Sequence, residues 1–200
     1  CHREWEEFHV KRPRTEKKLP VVLSLEEIGR LISVTSNLKH KAILMLTYSA
    51  GLRRMEVLQI KPKDIDSERM QVLIVQGKGK KDRYSILSQK TLEVLRQYYL
   101  AERPAKYLFE PMGHKGKALS ERLVEHIVKK SAKKAGIKKD ISFHTLRHCF
   151  ATHLLEAGVN LRQIQQFMGH TSFRTTAMYL HVAHMKTNEF TSPLDKITLY

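Results

Sequence analysis

Apolar residues recur at helical spacing in most of this sequence and at the spacing of β-strands in one short region. Through residues 24–60, and again beyond residue 88, apolar residues recur every three or four positions, as in helices that bury one face. Between these regions the run MQVLIVQ, the turn GKGKKD and the alternating run RYSIL predict a β-hairpin with a basic tip. The segment KDIDSE before it is a candidate third strand. The pattern therefore predicts a mainly α-helical fold with a small antiparallel sheet, in the α+β class.

Several helix boundaries are marked by local signals. Ser24, followed three residues later by Glu27, forms a capping-box pattern that predicts a helix start. The segment LKHKAILMLTYSA is apolar almost all round and predicts a buried helix that stops at Gly51. RRMEVLQI predicts a short helix that Pro62 ends. Further helices are predicted at 89–102, 119–135, 144–157, 160–168 and 172–182.

The chain is strongly basic, because its 36 Lys and Arg residues outnumber its 20 Asp and Glu residues and give a net charge of +16. Such a field attracts polyanions, so nucleic acid is the expected partner and an anionic membrane surface is the alternative. No apolar run approaches the roughly 20 residues of a membrane-spanning helix, and the first residues lack the features of a signal peptide. Cys1 and Cys149 predict free thiols in a reducing compartment. We therefore expect a cytoplasmic protein.

The segment SFHTLRHCFATHL concentrates cationic and polar side chains at the start of the predicted helix 144–157. His144, Arg147 and His148 lie near a helix N-terminus, where unpaired N–H groups and the dipole favour an anion. His144 and His148 also have the spacing of helix-borne metal ligands, but the glutamate of an HExxH motif is missing. Arg147 would place a positive charge beside the ion. The segment favours an anion site over a metal site, with an ordinary surface helix as the simplest alternative.

This segment also carries a resemblance to a known family. HTLRH, followed by FATHLLEAGVNLRQIQQFMGHTSFRTTAMYLHV, resembles the C-terminal half of the tyrosine recombinase catalytic domain, as in phage, Xer and integron integrases. AGLRRMEVLQI resembles the first arginine motif of that family, and VQGKGKKDRYSILS resembles its β-hairpin lysine motif. The match runs from about residue 19 to residue 193 in the family's order. It implies the tyrosine recombinase catalytic-domain fold and a site-specific DNA recombinase, or integrase.

The resemblance implies a nucleophile and five supporting catalytic residues. Two arginines would bind the extra negative charge of a phosphorane-like transition state, and two histidines would divide proton transfer and phosphate hydrogen bonding. A hairpin lysine would protonate the leaving 5′ oxygen, and the tyrosine would form a 3′-phosphotyrosyl intermediate without metal, cofactor or ATP. His148 is expected to pack beneath the site, and His153 to be a structural or surface residue. The implied catalytic residues are Arg53, Lys78, His144, Arg147, His170 and the nucleophile Tyr179.

Lysines provide a second indication of DNA. Lys129 with Lys133, and Lys130 with Lys134, are like charges four residues apart, which disfavour an isolated helix by a few tenths of a kcal/mol per pair. A phosphate backbone alongside would convert this repulsion into attraction. The candidate DNA-binding residues are Lys80, Lys81, Lys129, Lys130, Lys133 and Lys134.

The resemblance also implies a domain organisation and partners. Residues 1–20 are expected to be a linker that follows a missing N-terminal DNA-binding domain, 21–185 the catalytic domain, and 186–200 a tail that docks on a neighbouring protomer. Since the chain lacks an initiator Met, we expect it to be a piece of a longer protein. The expected partners are duplex DNA at the bacterial nucleoid and three further protomers on two DNA sites, with the isolated domain monomeric. Two alternatives remain: a type IB topoisomerase, and a DNA-binding module without activity.

Overall fold

The computed structural model describes residues 20–75 and 82–183. These residues form eight α-helices, a three-stranded antiparallel sheet of strand order β1-β2-β3 and two 3₁₀ segments, so the predicted mainly α-helical fold is confirmed. The helices are α1 (Leu25–Ser33), α2 (Leu38–Ala50), α3 (Arg54–Gln59), α4 (Gln89–Glu102), α5 (Glu121–Lys134), α6 (Phe143–Glu156), α7 (Leu161–Met168) and α8 (Phe173–Ala177). The strands are β1 (Ile65–Asp66), β2 (Gln71–Ile74) and β3 (Arg83–Ile86), and the 3₁₀ segments are Pro62–Asp64 and Met178–His181.

The predicted capping signals are used by the fold. The Ser24 side chain accepts a hydrogen bond from the Glu27 N–H at 3.1 Å, and the Glu27 carboxylate accepts one from the Ser24 N–H at 2.8 Å. At the other end of the next helix, Gly51 caps α2 in the left-handed conformation with φ of 60°. This stop reverses the chain, so that α3 begins within a few residues of the end of α2.

Helix α6 lies between two hydrophobic clusters and joins them. Leu146 and Cys149 belong to the larger cluster, which α1 to α5 and the sheet complete. Phe150 and Leu155 belong to the smaller one, with α7 and the final 3₁₀ segment. Helix α7 and the 3₁₀ segment Met178–His181 are therefore packed against the helix that carries the HTLRH motif.

The predicted helix 172–182 is divided in two. Helix α8 ends at Ala177, and Met178–His181 continue as a tighter 3₁₀ helix. The β-branched pair Thr175 and Thr176 lowers helix propensity here, and Thr176 is tied by its hydroxyl to His170 Nδ1 at 2.9 Å. The tighter winding accompanies the inward packing of Tyr179, which is 1% exposed.

Contacts of Leu23 fix the path of the chain into α1. Its N–H donates to Cys149 Sγ at 3.2 Å, and its carbonyl is 2.9 Å from His153 Nε2, whose Nδ1 is 2.8 Å from the Tyr48 hydroxyl. His153 is thus a structural residue, one of the two roles expected of it. Cys149 is a buried free thiol, and Cys1 lies outside the described residues. Among the helices of residues 20–75 and 82–183, none combines the length and hydropathy that crossing a bilayer requires.

Candidate active site

One cleft gathers most of the predicted catalytic residues. It has a volume of about 210 Å³ and lies where the start of α3, the first turns of α6 and the segment after α7 meet. Lys78, Lys80 and Lys81 lie outside the described residues. The predicted residues that line the cleft are Arg53, His144, Arg147, His170 and Tyr179, and His148 lines it with them.

Arg147 is the buried cation of the cleft, with 4% of its surface exposed. Its guanidinium donates to the carbonyls of Gly51 and Met168 and lies 3.3 Å from His170 Nε2. Burial and the neighbouring Arg53 lower the pKa of Arg147 to about 9, which leaves it charged at neutral pH. The carbonyls come from the ends of α2 and α7, so Arg147 joins two helix C-termini, where a cation is favoured.

One carboxylate holds three guanidiniums around the cleft. The Glu56 carboxylate accepts hydrogen bonds from the two terminal nitrogens of Arg83, at 2.8 and 2.7 Å, and from Arg53 Nη1 at 2.8 Å. Its Oε2 also lies 3.8 Å from Arg147 Nη1. Burial works against ionisation, but the hydrogen bonds and charge of Arg83 lower the pKa of Glu56 to about 2. Among the ion pairs of the described residues, Glu56 is the one anion beside these three cations, so this group of four side chains is net positive. The cluster is suited to an anionic ligand.

Arg83, the first residue of β3, contacts the loop that carries His170. Besides its pair with Glu56, its Nε donates to the Phe167 carbonyl at 2.9 Å. Its side chain also packs against Gly169, where an added Cβ would lie 2.7 Å from Arg83 Cδ. Arg53 donates to the Gly169 carbonyl at 3.0 Å from the other side. The loop between α7 and α8 is therefore held by two arginines from distant parts of the chain.

The protonation of His170 follows from its partners. A guanidinium only donates, so Nε2, at 3.3 Å from Arg147, is the acceptor, and the ring proton is on Nδ1, facing Thr176 Oγ1 at 2.9 Å. Burial, with Arg147, Arg53 and Arg83, lowers the pKa of His170 to about 3. Its imidazole is neutral at pH 7, with both nitrogens engaged.

Tyr179 lies at the wall of the cleft, with its hydroxyl 3.0 Å from His148 Nδ1. Its ring stacks nearly parallel to that of His170, at 9° with centroids 6.5 Å apart. Burial raises the pKa of Tyr179 to about 12, although Arg147 and Arg53 oppose this rise. The phenol is therefore protonated at neutral pH and has a hydrogen-bond partner.

The N-terminus of α6 is partly occupied by the protein's own carboxylate. The Phe143 N–H donates to Glu125 Oε2 at 3.2 Å, and Glu125 lies 4.0 Å from Arg54, which also pairs with Glu121. His144 is exposed beside this group; burial of its ring, with the charge of Arg54, lowers its pKa. Because Glu125 already accepts from this helix end, only the side of α6 that faces the cleft is left as the predicted anion site.

Three residues in or beside the cleft had no predicted part in its chemistry. The sequence signal for Glu56 was its position three residues after Arg53, where a helix-start carboxylate can reach back to the N–H of residue 53, at 2.7 Å here. Arg83 gave no signal, since an arginine in a hairpin strand is ordinarily solvated. His148 was expected beneath the site, but it lines the cleft and contacts Tyr179.

The candidate DNA-binding lysines of α5 are exposed on its last turns. Lys130 and Lys134 line a shallow pocket with His40, beside the start of α2. In the described part of the chain, no group of three or more His, Cys, Asp and Glu residues has the arrangement of a metal site. The expectation that no metal is needed stays a prediction.

Comparison with known proteins assigns this chain to a class. The chain belongs to the phage integrase family, whose model matches residues 22–186. The resemblance to tyrosine recombinases is thereby confirmed: the tyrosine recombinase XerA of Pyrococcus horikoshii is 38% identical over 175 residues, which cover 86% of this chain and 61% of that protein.

Two further relatives are a curated protein and a solved structure with its substrate bound. The putative integrase/recombinase y4qK of Sinorhizobium fredii is 44% identical over 183 residues, covering 92% of this chain and 59% of that protein. A crystal structure of the XerH site-specific recombinase, bound to a palindromic difH substrate in a post-cleavage complex, superposes with a TM-score of 0.75 at 27% identity. The match covers 89% of this chain and 54% of that one. The chain therefore spans between half and two thirds of the length of XerA, y4qK and XerH.

Proposed function

We propose that this chain is the catalytic part of a site-specific DNA recombinase that cleaves and rejoins strands through a 3′-phosphotyrosyl intermediate, without metal or ATP. The observation that carries the proposal is the convergence of Arg53, Arg147, His170 and Tyr179, from separate segments of the chain, on one cationic cleft. The similar XerH recombinase binds its difH substrate in a post-cleavage complex, which supports duplex DNA as the partner. The net charge of +16 supports the same partner.

The chemistry is an in-line exchange of ester bonds. The Tyr179 oxygen forms a bond to the scissile phosphorus as the bond to the 5′ oxygen breaks, which leaves a 3′-phosphotyrosine and a free 5′-hydroxyl. Arg53 and Arg147 bind the non-bridging oxygens, whose negative charge increases in the transition state. A 5′-hydroxyl from a partner strand then displaces the tyrosine and restores the DNA bond. Because one ester replaces another, the bond energy is conserved and no ATP is consumed.

The remaining roles follow the same proposal. Lys78, on the hairpin, protonates the leaving 5′ oxygen, and His144 at the open side of the cleft hydrogen-bonds the phosphate. Recombination joins two duplexes, so four protomers assemble on two sites, and the tail 186–200 docks on a neighbour. The isolated catalytic part is monomeric, and the full protein acts in the cytoplasm at the nucleoid.

Covalent trapping tests the proposal. In a duplex with a nick beside the scissile phosphate, cleavage releases the short fragment that carries the new 5′-hydroxyl, so that rejoining fails and the protein stays attached to the DNA. We expect attachment by the unchanged chain, with Tyr179 in the modified peptide, and none by Tyr179→Phe. Tyr99→Phe is the matched control, because Tyr99 is an exposed tyrosine of α4 that does not line the cleft, and it should attach normally. Attachment of Tyr179→Phe at the normal rate contradicts the proposal.

A plasmid assay separates the recombinase from the type IB topoisomerase alternative. A topoisomerase relaxes supercoiled plasmid that carries no recombination site, since it releases torsion by swivelling about one break. The proposed recombinase leaves that plasmid supercoiled and acts only on paired sites. Rapid relaxation without paired sites would transfer the proposal to the topoisomerase class.

Salt dependence tests the lysines of α5. If Lys130 and Lys134 contact phosphates, Lys130→Gln/Lys134→Gln should weaken duplex binding and lower the slope of log affinity against log salt by about 2. Fluorescence anisotropy of a labelled duplex at several salt concentrations measures this slope. Lys90→Gln/Lys115→Gln removes the same charge from exposed positions elsewhere and should leave the slope nearly unchanged. Equal effects of the two pairs would remove Lys130 and Lys134 from the interface.

A further inference from the structure

Three histidines line the cleft, and one of them lies within hydrogen-bond distance of the phenolic oxygen. His148 Nδ1 lies 3.0 Å from Tyr179 Oη, which is hydrogen-bond distance, and the two rings meet at 52° with centroids 5.9 Å apart. This contact joins residues 31 positions apart, so the fold itself creates it. We propose that His148 is the base that removes the proton of Tyr179 during attack on the phosphate. The inference rests on the proposed function and adds a catalytic residue to it.

The other two histidines are differently engaged. His170 already uses Nε2 to accept from Arg147 and Nδ1 to donate to Thr176, and it meets Tyr179 through its ring face. His144 is exposed at the mouth of the cleft, beside Arg54, where it can reach a phosphate oxygen. His148 differs from both, because its neutral ring places a nitrogen within hydrogen-bond distance of the phenolic oxygen.

His148 is in the protonation state that a base requires. Burial, with His144 and Arg147 nearby, lowers the pKa of His148 to about 4, so its imidazole is neutral at pH 7. With the ring proton on Nε2, Nδ1 accepts the hydrogen bond that the protonated phenol donates. A phosphodiester in the cleft brings a negative charge, which favours the imidazolium that forms when the proton moves.

The proton balance closes over both half-reactions. During cleavage the Tyr179 proton moves to His148 Nδ1, the new P–O bond forms, and the leaving 5′ oxygen receives a proton from Lys78. During rejoining the 5′-hydroxyl returns its proton to Lys78, and the released phenolate recovers a proton from His148. No external acid, base or metal takes part in these two steps.

Two variants of His148 separate a base from a positioning residue. His148→Ala removes the ring. His148→Asn keeps an acceptor oxygen close to the position of Nδ1 but cannot take up a proton. We expect both to attach to the nicked duplex at least about 100-fold more slowly than the unchanged chain, in line with the contribution of general bases. Added imidazole should accelerate His148→Ala but not Tyr179→Phe.

A sulfur substrate distinguishes the base from the acid. When sulfur replaces the bridging 5′ oxygen, the leaving group needs no proton, so Lys78→Ala should recover its rate on this duplex. His148→Ala should stay slow on it, since removal of the phenolic proton is still required. Circular dichroism, thermal unfolding and duplex affinity verify that the variants are folded and bind DNA.

The outcomes distinguish this inference from the proposed function. If the unchanged chain never attaches, the proposed function fails and this inference fails with it. If the unchanged chain attaches and His148→Asn matches its rate, His148 only positions the phenol and the inference alone is overturned. Faster attachment by His148→Ala also overturns it, because the hydrogen bond would then restrain the nucleophile.

Discussion

Glu56→Gln is expected to lower the free energy of unfolding by about 3 to 5 kcal/mol, the usual cost of removing one partner from a buried charge network. The substitution preserves shape but removes the anion that Arg53 and Arg83 contact at 2.8 and 2.7 Å. The guanidiniums then repel one another, and the amide NH₂ faces their N–H groups without an acceptor. Urea unfolding of both proteins, at equal pH and salt, measures the loss.

The same substitution should change the response to acid. Glu56 has its pKa lowered from 4.5 to about 2, so its ion pairs stabilise the fold fully above pH 4.5 and progressively less as the pH falls toward 2. The stability difference between the unchanged chain and Glu56→Gln should therefore shrink over this range. Other carboxylates titrate in both proteins, so the difference reports on Glu56.

Glu27→Gln is the matched control, because Glu27 also occupies the third position of a helix, accepts a backbone N–H and pairs with one cation, Lys139. Its pair lies at the surface, with Lys139 exposed and Glu27 partly so, and we expect a loss of at most about 1 kcal/mol. Sulfate should restore part of the stability of Glu56→Gln, since an anion can replace the missing charge. A loss as small as that of Glu27→Gln would refute the assignment of Glu56 as the centre of the cluster.

Sequence patterns predicted the elements whose causes are local. The capping residues Ser24 and Glu27 each accept a hydrogen bond from the other's backbone N–H, and Gly51 ends α2 through its own φ angle. The boundaries of the predicted helix 89–102 agree with α4 for the same reason, since Ser88 caps it by accepting from the Thr91 N–H at 3.2 Å. Such interactions lie within a few residues, so one segment contains all the information.

Strand β3 shows where local pattern fails. In RYSIL the aromatic Tyr84 is 53% exposed, while Ser85 is 1% exposed and Arg83 points inward. The alternating pattern correctly predicted a strand, but hydrophobicity alone would bury Tyr84 and expose Arg83 and Ser85. Ser85 is buried because its hydroxyl donates to the Ala50 carbonyl at 2.8 Å, and Arg83 because it meets Glu56. Both partners lie far earlier in the chain, 35 and 27 residues away, beyond any local pattern.

The candidate site shows the same difference between what local motifs predict and what depends on distant contacts. The motifs predicted which side chains meet, and the cleft contains Arg53, Arg147, His170 and Tyr179 together. They did not predict what each side chain contacts, such as the bond between His148 and Tyr179, because that depends on the packing of α6 against the final 3₁₀ segment. The roles of the predicted residues stay proposals until covalent trapping tests them.

Gly51→Ala is expected to destabilise the fold by about 3 kcal/mol. The backbone at Gly51 has φ of 60°, which costs an L-residue about 1 kcal/mol or more, and its new Cβ would lie 2.3 Å from Phe150 Cδ1. Phe150 is 4% exposed in the smaller cluster, so its ring can move only by repacking Ile164 and Met168, at a further cost of about 2 kcal/mol. Thermal or urea unfolding measures the total.

Gly136→Ala separates the two contributions, because Gly136 has a similar φ of 67° but no atom within 4 Å of the added Cβ. It should cost only about 1 kcal/mol. In the Gly51→Ala background, Phe150→Leu should cost less than it does alone, by about 1 to 2 kcal/mol, since the smaller side chain relieves the clash. Additive effects of Gly51→Ala and Phe150→Leu would contradict the clash. The Gly51 carbonyl accepts from Arg147, so a shift of this turn also moves the cationic cleft, which makes the glycine a requirement of both the core and the site.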